Sequence, residues 1–393
     1  MAKLKLDGLD VKGKRVLVRV DFNVPLKDGA VSDDTRIRAA LPTIHTVLDR
    51  GGTAVLMSHL GRPKGVADPK YSLAPVARHL QSITGKTVTF STETVGDAAM
   101  DAVSNAPTSS IVLLENTRFH PGETKNDPDL ARSIAALGDV FVNDAFGSAH
   151  RAHASTEGVT HFVSKSAMGF LLEKEIKYLS ALLAQPKTPF VAVLGGAKVS
   201  DKIGVIENLL PLVDKLLIGG AMSYTFLKAQ GHGIGNSLVE EDKLDVAREL
   251  LERAPSKILI PTDHVAATTF DNVAEHTTVR GEIPAGYMGL DIGAETVSTY
   301  EAEIGRARTV VWNGPMGVFE MSNFAAGTNA VARAMAEVTH SGALTVVGGG
   351  DSVAAITQGG YDDHVSHVST GGGAMLEFLE GKVLPGVASL TDS

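Results

Sequence analysis

The chain has 393 residues, of which 44% are hydrophobic and 21% are charged, which is typical of a globular protein and not of a disordered or fibrous one. Its 36 Lys and Arg against 45 Asp and Glu give a net charge of -9, which argues against a general binder of nucleic acid or of a membrane surface. The lack of cysteine excludes disulfides, thiolate catalysis and cysteine-ligated metals. The N-terminus has no apolar signal-peptide core, so we expect a cytoplasmic enzyme. The length predicts two or three domains, and the net charge predicts that neither nucleic acid nor a membrane is a partner.

Short apolar runs recur along the chain, and each is followed by glycine or polar residues and then by a helical pattern. In chain order, the predicted strands cover residues 15–20, 53–57, 111–114, 140–142, 191–194, 216–218, 258–260, 310–312, 344–347 and 365–370. Most runs are continuous, as expected of strands that helices cover on both faces. The pattern predicts an α/β fold with doubly wound parallel sheets, and so many strands predict two sheets.

Between the two sets of strands, the sequence predicts a long helix over residues 169–184. Apolar residues recur there at helical spacing, and residues 185–189 (QPKTP) end the helix because proline cannot continue it. This helix is a candidate hinge between two lobes. The alternative is one more surface helix of a single domain.

In the first half, the predicted strand ends carry polar and cationic side chains. They are Asp21, Asn23, Arg36, His59, Arg62, Arg118 and Arg151. Ligands of open parallel sheets lie beyond the carboxyl ends of the strands, and guanidinium groups match phosphate and carboxylate oxygens in pairs. The pattern favours a small, multiply charged phospho-acid as ligand. The alternative is that these arginines are solvated loop charges.

In the second half, the strand ends are rich in glycine, at 195–196, 219–220, 348–350 and 371–373. Glycine lets backbone N–H groups approach a ligand, and the N-terminus of the following helix attracts anions. Four such turns favour a nucleotide, although tight strand-to-helix turns also use glycine.

Lys198 and Lys202 are spaced four residues apart in a segment that we predict to begin a helix. On one helix face they would repel each other, which indicates a polyanion between them; a solvated lysine pair is the alternative. Asp351 follows three glycines and is either a Mg²⁺ ligand or a plain N-cap.

Eight segments resemble signatures of the phosphoglycerate kinase family, in family order and nearly end to end. They are RVDFNVP (19–25), SHLGRP (58–63), ENTRFHPGE (115–123), NDAFGSAHR (143–151), GGAKVSDK (195–202), WNGPMGVFE (312–320), GGGDS (348–352) and HVSTGGGAMLEFLEGKVLPGV (367–387). Thr117 replaces a usual aliphatic residue, and Ala294-Glu295 replaces the commoner Pro-Lys.

The resemblance implies two Rossmann-like lobes, with 3-phosphoglycerate on the first and MgATP or MgADP on the second. It implies an N-terminal domain over 1–168, a linking helix over 169–186, a nucleotide domain over 187–375 and a returning tail over 376–393. The implied phosphoglycerate residues are Asp21, Phe22, Asn23, Arg36, His59, Leu60, Gly61, Arg62, Arg118 and Arg151. The implied nucleotide residues are Gly195, Gly196, Lys202, Gly219, Gly220, Gly293, Asn313, Glu320, Gly349, Gly350, Asp351 and Ser352, with Asp351 as the Mg²⁺ ligand.

The implied reaction is reversible transfer of a phosphoryl group between ATP and the carboxylate of 3-phosphoglycerate, by a monomer whose lobes close. In-line transfer to an ionised carboxylate needs no protein nucleophile, so catalysis reduces to alignment and charge neutralisation. The catalytic candidates are Arg36, Lys198, Lys202, Gly371, Gly372 and Gly373. A nicotinamide-dependent dehydrogenase and a non-catalytic nucleotide sensor are the competing hypotheses.

Overall fold

A computed structural model describes residues 2–393, which form two compact units. The first, unit 1, ends at Lys177 and also includes Val383–Ser393. The second, unit 2, covers Tyr178–Lys382. No helix in the described part of the chain has both the length and the apolar character that a bilayer crossing requires.

Unit 1 is built around a parallel sheet of six strands in the order β5-β6-β4-β1-β7-β8. Its strands are β1 (Arg15–Arg19), β2 (Leu26–Lys27), β3 (Ala30–Val31), β4 (Thr53–Met57), β5 (Val88–Phe90), β6 (Ile111–Leu113), β7 (Val140–Asn143) and β8 (Ser166–Met168), of which β2 and β3 form a separate hairpin. Its helices are α1 (Thr35–Asp49), α2 (Ala74–Thr84), α3 (Asp97–Ser104) and α4 (Pro128–Ala135). The central strands are buried, and the apolar face of α1 packs into the same core.

Helix α5 (Phe170–Ala184) spans the point where the two units divide, close to the predicted 169–184. Its start is fixed by Asp144, whose Oδ1 accepts hydrogen bonds from the amides of Leu171 and Leu172, at 2.8 and 3.2 Å. A carboxyl group at this position satisfies helix amides that have no partner within the helix.

Unit 2 contains a second parallel sheet of six strands, in the order β11-β10-β9-β15-β16-β17. Its strands are β9 (Phe190–Leu194), β10 (Lys215–Ile218), β11 (Ile258–Leu259), β12 (Asp263–Ala267), β13 (His276–Arg280), β14 (Met288–Ile292), β15 (Thr309–Asn313), β16 (Leu344–Gly348) and β17 (His367–Val368). Its helices are α6 (Ile203–Leu209), α7 (Met222–Ala229), α8 (Leu244–Arg253), α9 (Ala294–Arg306), α10 (Ala326–His340), α11 (Gly350–Gln358) and α12 (Gly372–Leu379); α13 (Pro385–Ala388) lies in unit 1.

The prediction of two parallel sheets in an α/β fold is confirmed. The sequence missed the antiparallel sheet β13-β12-β14, and the predicted strand 365–370 shrinks to His367–Val368. In each parallel sheet, the later strands lie first on one side of the first strand and then on the other, as in doubly wound folds; the first strand is β1 in unit 1 and β9 in unit 2. The predicted domain limits stay a prediction.

Candidate functional site

The first candidate site is built at the carboxyl edge of the unit 1 sheet. Strands β6, β4, β1 and β7 are adjacent and parallel, so the segments that follow them lie side by side. These segments carry the predicted phosphoglycerate residues, apart from Arg36 in the first turn of α1.

Hydrogen bonds join five of these predicted residues directly. Asn23 Oδ1 accepts from the amide of Gly61 at 2.9 Å, and the carbonyl of Gly61 accepts from Arg118 Nη1 at 2.7 Å. Arg36 Nη1 lies 3.2 Å from both Asp21 Oδ2 and the carbonyl of Asn23. The strand ends therefore converge on one surface.

The arginines of this surface lie close enough to influence one another's pKa. Burial lowers the pKa of Arg118, and the guanidinium groups of Arg19, Arg151 and Arg62 lower it further. Such mutual repulsion is unfavourable unless an anion occupies the site. The grouping supports the predicted anion site.

Arg19 is a member of this cluster that the sequence analysis missed. Its side chain is 1% exposed and donates to Ser155 Oγ, to the carbonyl of Val20 and, at 3.1 Å, to His59 Nδ1. Ser155 in turn donates to the buried carboxylate of Glu123. This chain of bonds gives the buried guanidinium a compensating negative charge.

The contact with Arg19 also fixes the protonation of His59. A guanidinium group only donates, so His59 Nδ1 accepts and the ring proton lies on Nε2. Burial, followed by the charges of Arg19, Arg118 and Arg36, lowers the pKa of His59 well below its usual value. His59 is thus a neutral N–H donor and not one of the cations.

The remaining predicted residues of unit 1 differ in what they offer a ligand. Arg62 and Arg151 are exposed, and Arg151 Nε donates to His150 Nε2 at 3.0 Å. Phe22 and Leu60 have side chains buried in the core, so they offer only backbone groups. His153, which the sequence analysis also missed, is buried beside the arginines, and burial together with their charges lowers its pKa to about 4.

The second candidate site lies at the carboxyl edge of the unit 2 sheet. The strand order reverses between β9 and β15, which is where open α/β sheets bind ligands. The turns after these strands and β10 are linked by backbone bonds: Gly196 donates to Pro315, Gly220 to Met316, and Met222 to Gly196.

Above these turns lies a cavity of about 520 Å³, large enough for a nucleoside. Predicted residues Gly196, Gly220, Glu320 and Asp351 line it. The lining also includes residues that the sequence analysis did not identify, among them Tyr224, Asn236, Leu238, Phe270, Leu290 and Val318. Leu238 and Phe270 are 66% and 62% exposed, unusual for large apolar side chains, so both are available to a flat apolar ligand group.

The predicted glycines divide into two groups. A Cβ added to Gly195 would lie 2.0 Å from the carbonyl of Pro315, and one added to Gly219 would lie 2.4 Å from Met316 Sδ. These two glycines permit close packing of the turns and do not line the cavity. Gly293 caps α9 against Asp263, also away from the cavity, so the structure gives it a role in packing.

Two glycine turns meet near Asp351. Gly371 and Gly349 are the N-caps of α12 and α11, and a Cβ added to Gly372 would lie 3.4 Å from Gly349 Cα. The unpaired amides of two helix N-termini therefore face one region, which is an arrangement that binds phosphate. Asp351 lies inside α11, so the alternative that it is the N-cap is wrong.

Lys202 belongs to this region, but the predicted lysine pair on one helix face is wrong. Helix α6 begins at Ile203, which leaves Lys198 exposed in the preceding loop and Lys202 at the N-cap. Lys202 is 8% exposed, and its Nζ donates to Asn313 Oδ1. Burial lowers the pKa of Lys202 to about 8, although the carboxylates of Asp201, Asp351 and Glu380 oppose this.

Asn313 and Ser352 act behind the cavity surface. Asn313 is 2% exposed at the end of β15 and holds Lys202, while its Nδ2 has no partner among the described residues. Ser352 is buried and accepts from the amide of Gly314. Both hold groups around the glycine turns in place.

Among residues 2–393, no group of three or more His, Asp or Glu side chains is arranged to hold a metal on its own. Asp351 is a single carboxylate beside the helix N-termini. Mg²⁺ is commonly held by one or two carboxylates together with substrate phosphates, so this donor set fits a metal that arrives with a nucleotide.

Comparison with known proteins gives one consistent result. The family model of phosphoglycerate kinase matches residues 6–382. The phosphoglycerate kinase of Thermosipho africanus is 56% identical, over 100% of this chain and 98% of its own length. That of Salinibacter ruber is 57% identical over the full length of both chains. Among solved structures, the phosphoglycerate kinase of Coxiella burnetii has a TM-score of 0.89 at 41% identity, covering 98% of each chain, and that of Pyrococcus horikoshii has a TM-score of 0.84 at 32% identity, with the same coverage.

Proposed function

The chain belongs to the phosphoglycerate kinase family, and on that premise we propose that it catalyses the reversible transfer of the γ-phosphoryl group of ATP to the carboxylate of 3-phosphoglycerate. The products are ADP and 1,3-bisphosphoglycerate. In glycolysis the reaction runs toward ATP. A cytoplasmic location and a monomeric state remain predictions from the sequence.

Unit 1 holds the acceptor. Arg62, Arg118 and Arg151 bind the phosphate group that does not react, and the Nε2–H of His59 adds a neutral donor. Asp21 and Asn23 bind near the hydroxyl and carboxylate groups, where Arg36 neutralises charge. The carboxylate is ionised at neutral pH, so it attacks phosphorus without a general base.

Unit 2 holds the nucleotide. The base and ribose occupy the cavity, with Glu320 at the ribose, and the phosphates reach the amides of Gly349, Gly350 and Gly371–Gly373. Lys202 and Lys198 provide positive charge to the phosphates, and Asp351 would hold Mg²⁺, which neutralises phosphate charge when it is bound. Transfer then requires the acceptor carboxylate to lie in line with the bond between the γ-phosphorus and the oxygen that bridges it to the β-phosphate. It also requires that water be excluded.

The observation that carries this proposal is the burial of Lys202. A lysine that is 8% exposed, with its pKa lowered to about 8, has lost hydration that its amide partner Asn313 replaces only in part. A phosphate group between the adjoining helix N-termini would accept hydrogen bonds from the ammonium and add to the negative charge of the nearby carboxylates.

A coupled assay with ATP and 3-phosphoglycerate tests the proposal, and NADH binding measured by fluorescence tests the dehydrogenase alternative. We expect Mg²⁺-dependent ADP formation that requires 3-phosphoglycerate. NADH binding without ADP formation would favour the dehydrogenase, and ATP binding without turnover would favour the nucleotide sensor.

A further inference from the structure

Tyr224 brings a polar group to the nucleotide cavity that the mechanism above does not use. It lies in α7, is 3% exposed, and lines the cavity. Its hydroxyl lies against Gly289, another lining residue, since a Cβ added to Gly289 would come within 2.1 Å of Oη. Within residues 2–393 this hydroxyl makes no hydrogen bond to another residue, and its oxygen is not one of the fully buried unpaired polar atoms, so it stays accessible from the cavity.

A second buried tyrosine of unit 2 provides the contrast. Tyr300 is 1% exposed, and its hydroxyl contacts the carbonyl oxygens of Ile218 and Leu259. Buried tyrosine hydroxyls normally have such partners, because an unsatisfied one costs free energy. The Tyr224 hydroxyl has no such partner in the chain and is accessible from the cavity, so it is available to a polar group of a ligand bound there.

The sheet order locates Tyr224 relative to the phosphate-binding turns. Tyr224 follows β10, whereas Asp351 follows β16, three strands away in the order β10-β9-β15-β16. At about 4.8 Å between neighbouring strands, the ends of β10 and β16 are about 14 Å apart. A nucleotide with its terminal phosphates at Asp351 would extend its base toward Tyr224.

We propose that Tyr224 is a specificity-determining residue whose hydroxyl hydrogen-bonds the polar edge of the nucleobase. This rests on the proposed function, because it requires a nucleotide in the cavity. The apolar side chains of Leu238 and Phe270 contact any flat ring, so they discriminate poorly between bases. A hydroxyl that donates or accepts favours a base with nitrogen atoms at its edge over an apolar ring of the same shape.

The test compares Tyr224→Phe with the matched control Tyr300→Phe by calorimetric binding of two ligands. One ligand is ADP, and the other is the 5′-diphosphate of 4-methylindole riboside, an apolar analogue of adenosine. In Tyr224→Phe we expect ADP to bind about 3- to 10-fold more weakly and the analogue to bind as it does to the unmodified chain. In Tyr300→Phe we expect unchanged affinity for both ligands.

Thermal unfolding separates a ligand contact from a structural one. Tyr224→Phe removes a hydroxyl that has no internal partner and should leave Tm unchanged, whereas Tyr300→Phe loses internal hydrogen bonds and should lower Tm. Unchanged ADP affinity in Tyr224→Phe, or equal weakening of both ligands, would overturn the proposal while the proposed function stands. Failure of the unmodified chain to bind ADP would overturn both.

Discussion

Replacing Asp144 by Asn should change how the stability of unit 1 depends on pH. The Asp144 carboxyl group is fully buried, packs against Gly169 and accepts hydrogen bonds from the first turn of α5. Burial raises its pKa from 3.8 to about 7, although the Thr43 hydroxyl and the amides of Leu172 and Leu171 favour the charged form. Asparagine keeps an oxygen acceptor for those amides but does not ionise.

The direction of the effect follows from proton binding. The folded chain holds the proton of Asp144 more tightly than the unfolded chain, so this stabilisation is fully present below pH 3.8 and is lost as pH rises through about 7. A change in pKa from 3.8 to about 7, at 1.36 kcal/mol per pH unit, corresponds to about 4 kcal/mol. In Asp144→Asn this loss should disappear.

The assay is urea unfolding from pH 4.5 to 8.5, followed by far-UV circular dichroism. Amide exchange at Leu171 and Leu172 reports on unit 1 separately, since two units need not unfold together. Asp127→Asn is the matched control, because Asp127 caps α4 from a partly exposed position. If Asp144→Asn lowered the free energy of unfolding equally at every pH, its stability would still depend on pH as that of the unmodified chain does. The Asp144 carboxyl group would then not be the source of that pH dependence.

Four further predictions concern the two candidate sites. Arg36→Ala and Lys202→Ala should each lower kcat about 10²- to 10³-fold in the coupled assay. The control Lys228→Ala, which removes an exposed lysine paired with Glu241, should leave kcat unchanged. Near-normal turnover in either of the first two variants would make that residue structural. The Lys202 ammonium loses its proton as pH rises through about 8, so ADP affinity measured by calorimetry should fall above pH 8. Lys202→Arg should flatten that decline, because arginine stays charged. The same decline in the variant would assign the titration to another group. Gly350→Ala adds a Cβ that meets no atom of the described chain within 4 Å, so Tm should hold while ADP binds more weakly; unchanged affinity would mean that the phosphates do not reach this turn. Arg19→Met should destabilise the chain by about 3–5 kcal/mol, because it breaks a buried charged network. The ¹⁵N signals of His59 should then show a mixture of both ring tautomers. An unchanged Nε2–H tautomer would contradict the role assigned to Arg19.

Strands that are buried on both faces are predicted well from the sequence. Strand β4 covers the predicted residues 53–57, because five consecutive apolar or small residues leave no exposed face. Strand β13 was missed because most of its residues are exposed and polar, so no apolar pattern marks it. It exists through pairing with β12, a tertiary contact that single-sequence patterns do not record.

The candidate sites show the same division between local and distant information. Residues in strand-end turns were identified because their position alone brings them to the edge of a sheet. Arg19 and Tyr224 were missed because each lies inside a regular element, and their partners or the cavity come from distant parts of the chain. The prediction of a lysine pair on one helix face was wrong for the same reason: Ser200 donates to the carboxylate of Glu240, 40 residues away, and the helix starts only after Lys202.

Under the proposed function, the two units neutralise anions by different means, and their buried groups fit this difference. Unit 1 gathers full positive charges, so it needs the Glu123 carboxylate behind Arg19 and a neutral His59 among the arginines to limit repulsion before a ligand binds. In unit 2 the proposal places the phosphates against helix amides that carry only partial charge, and the buried Lys202, the exposed Lys198 and Mg²⁺ would add full charges. Partial charges act only at short range, so under the proposed function the second site depends on glycine, which lets backbone amides approach the ligand, where the first depends on arginine.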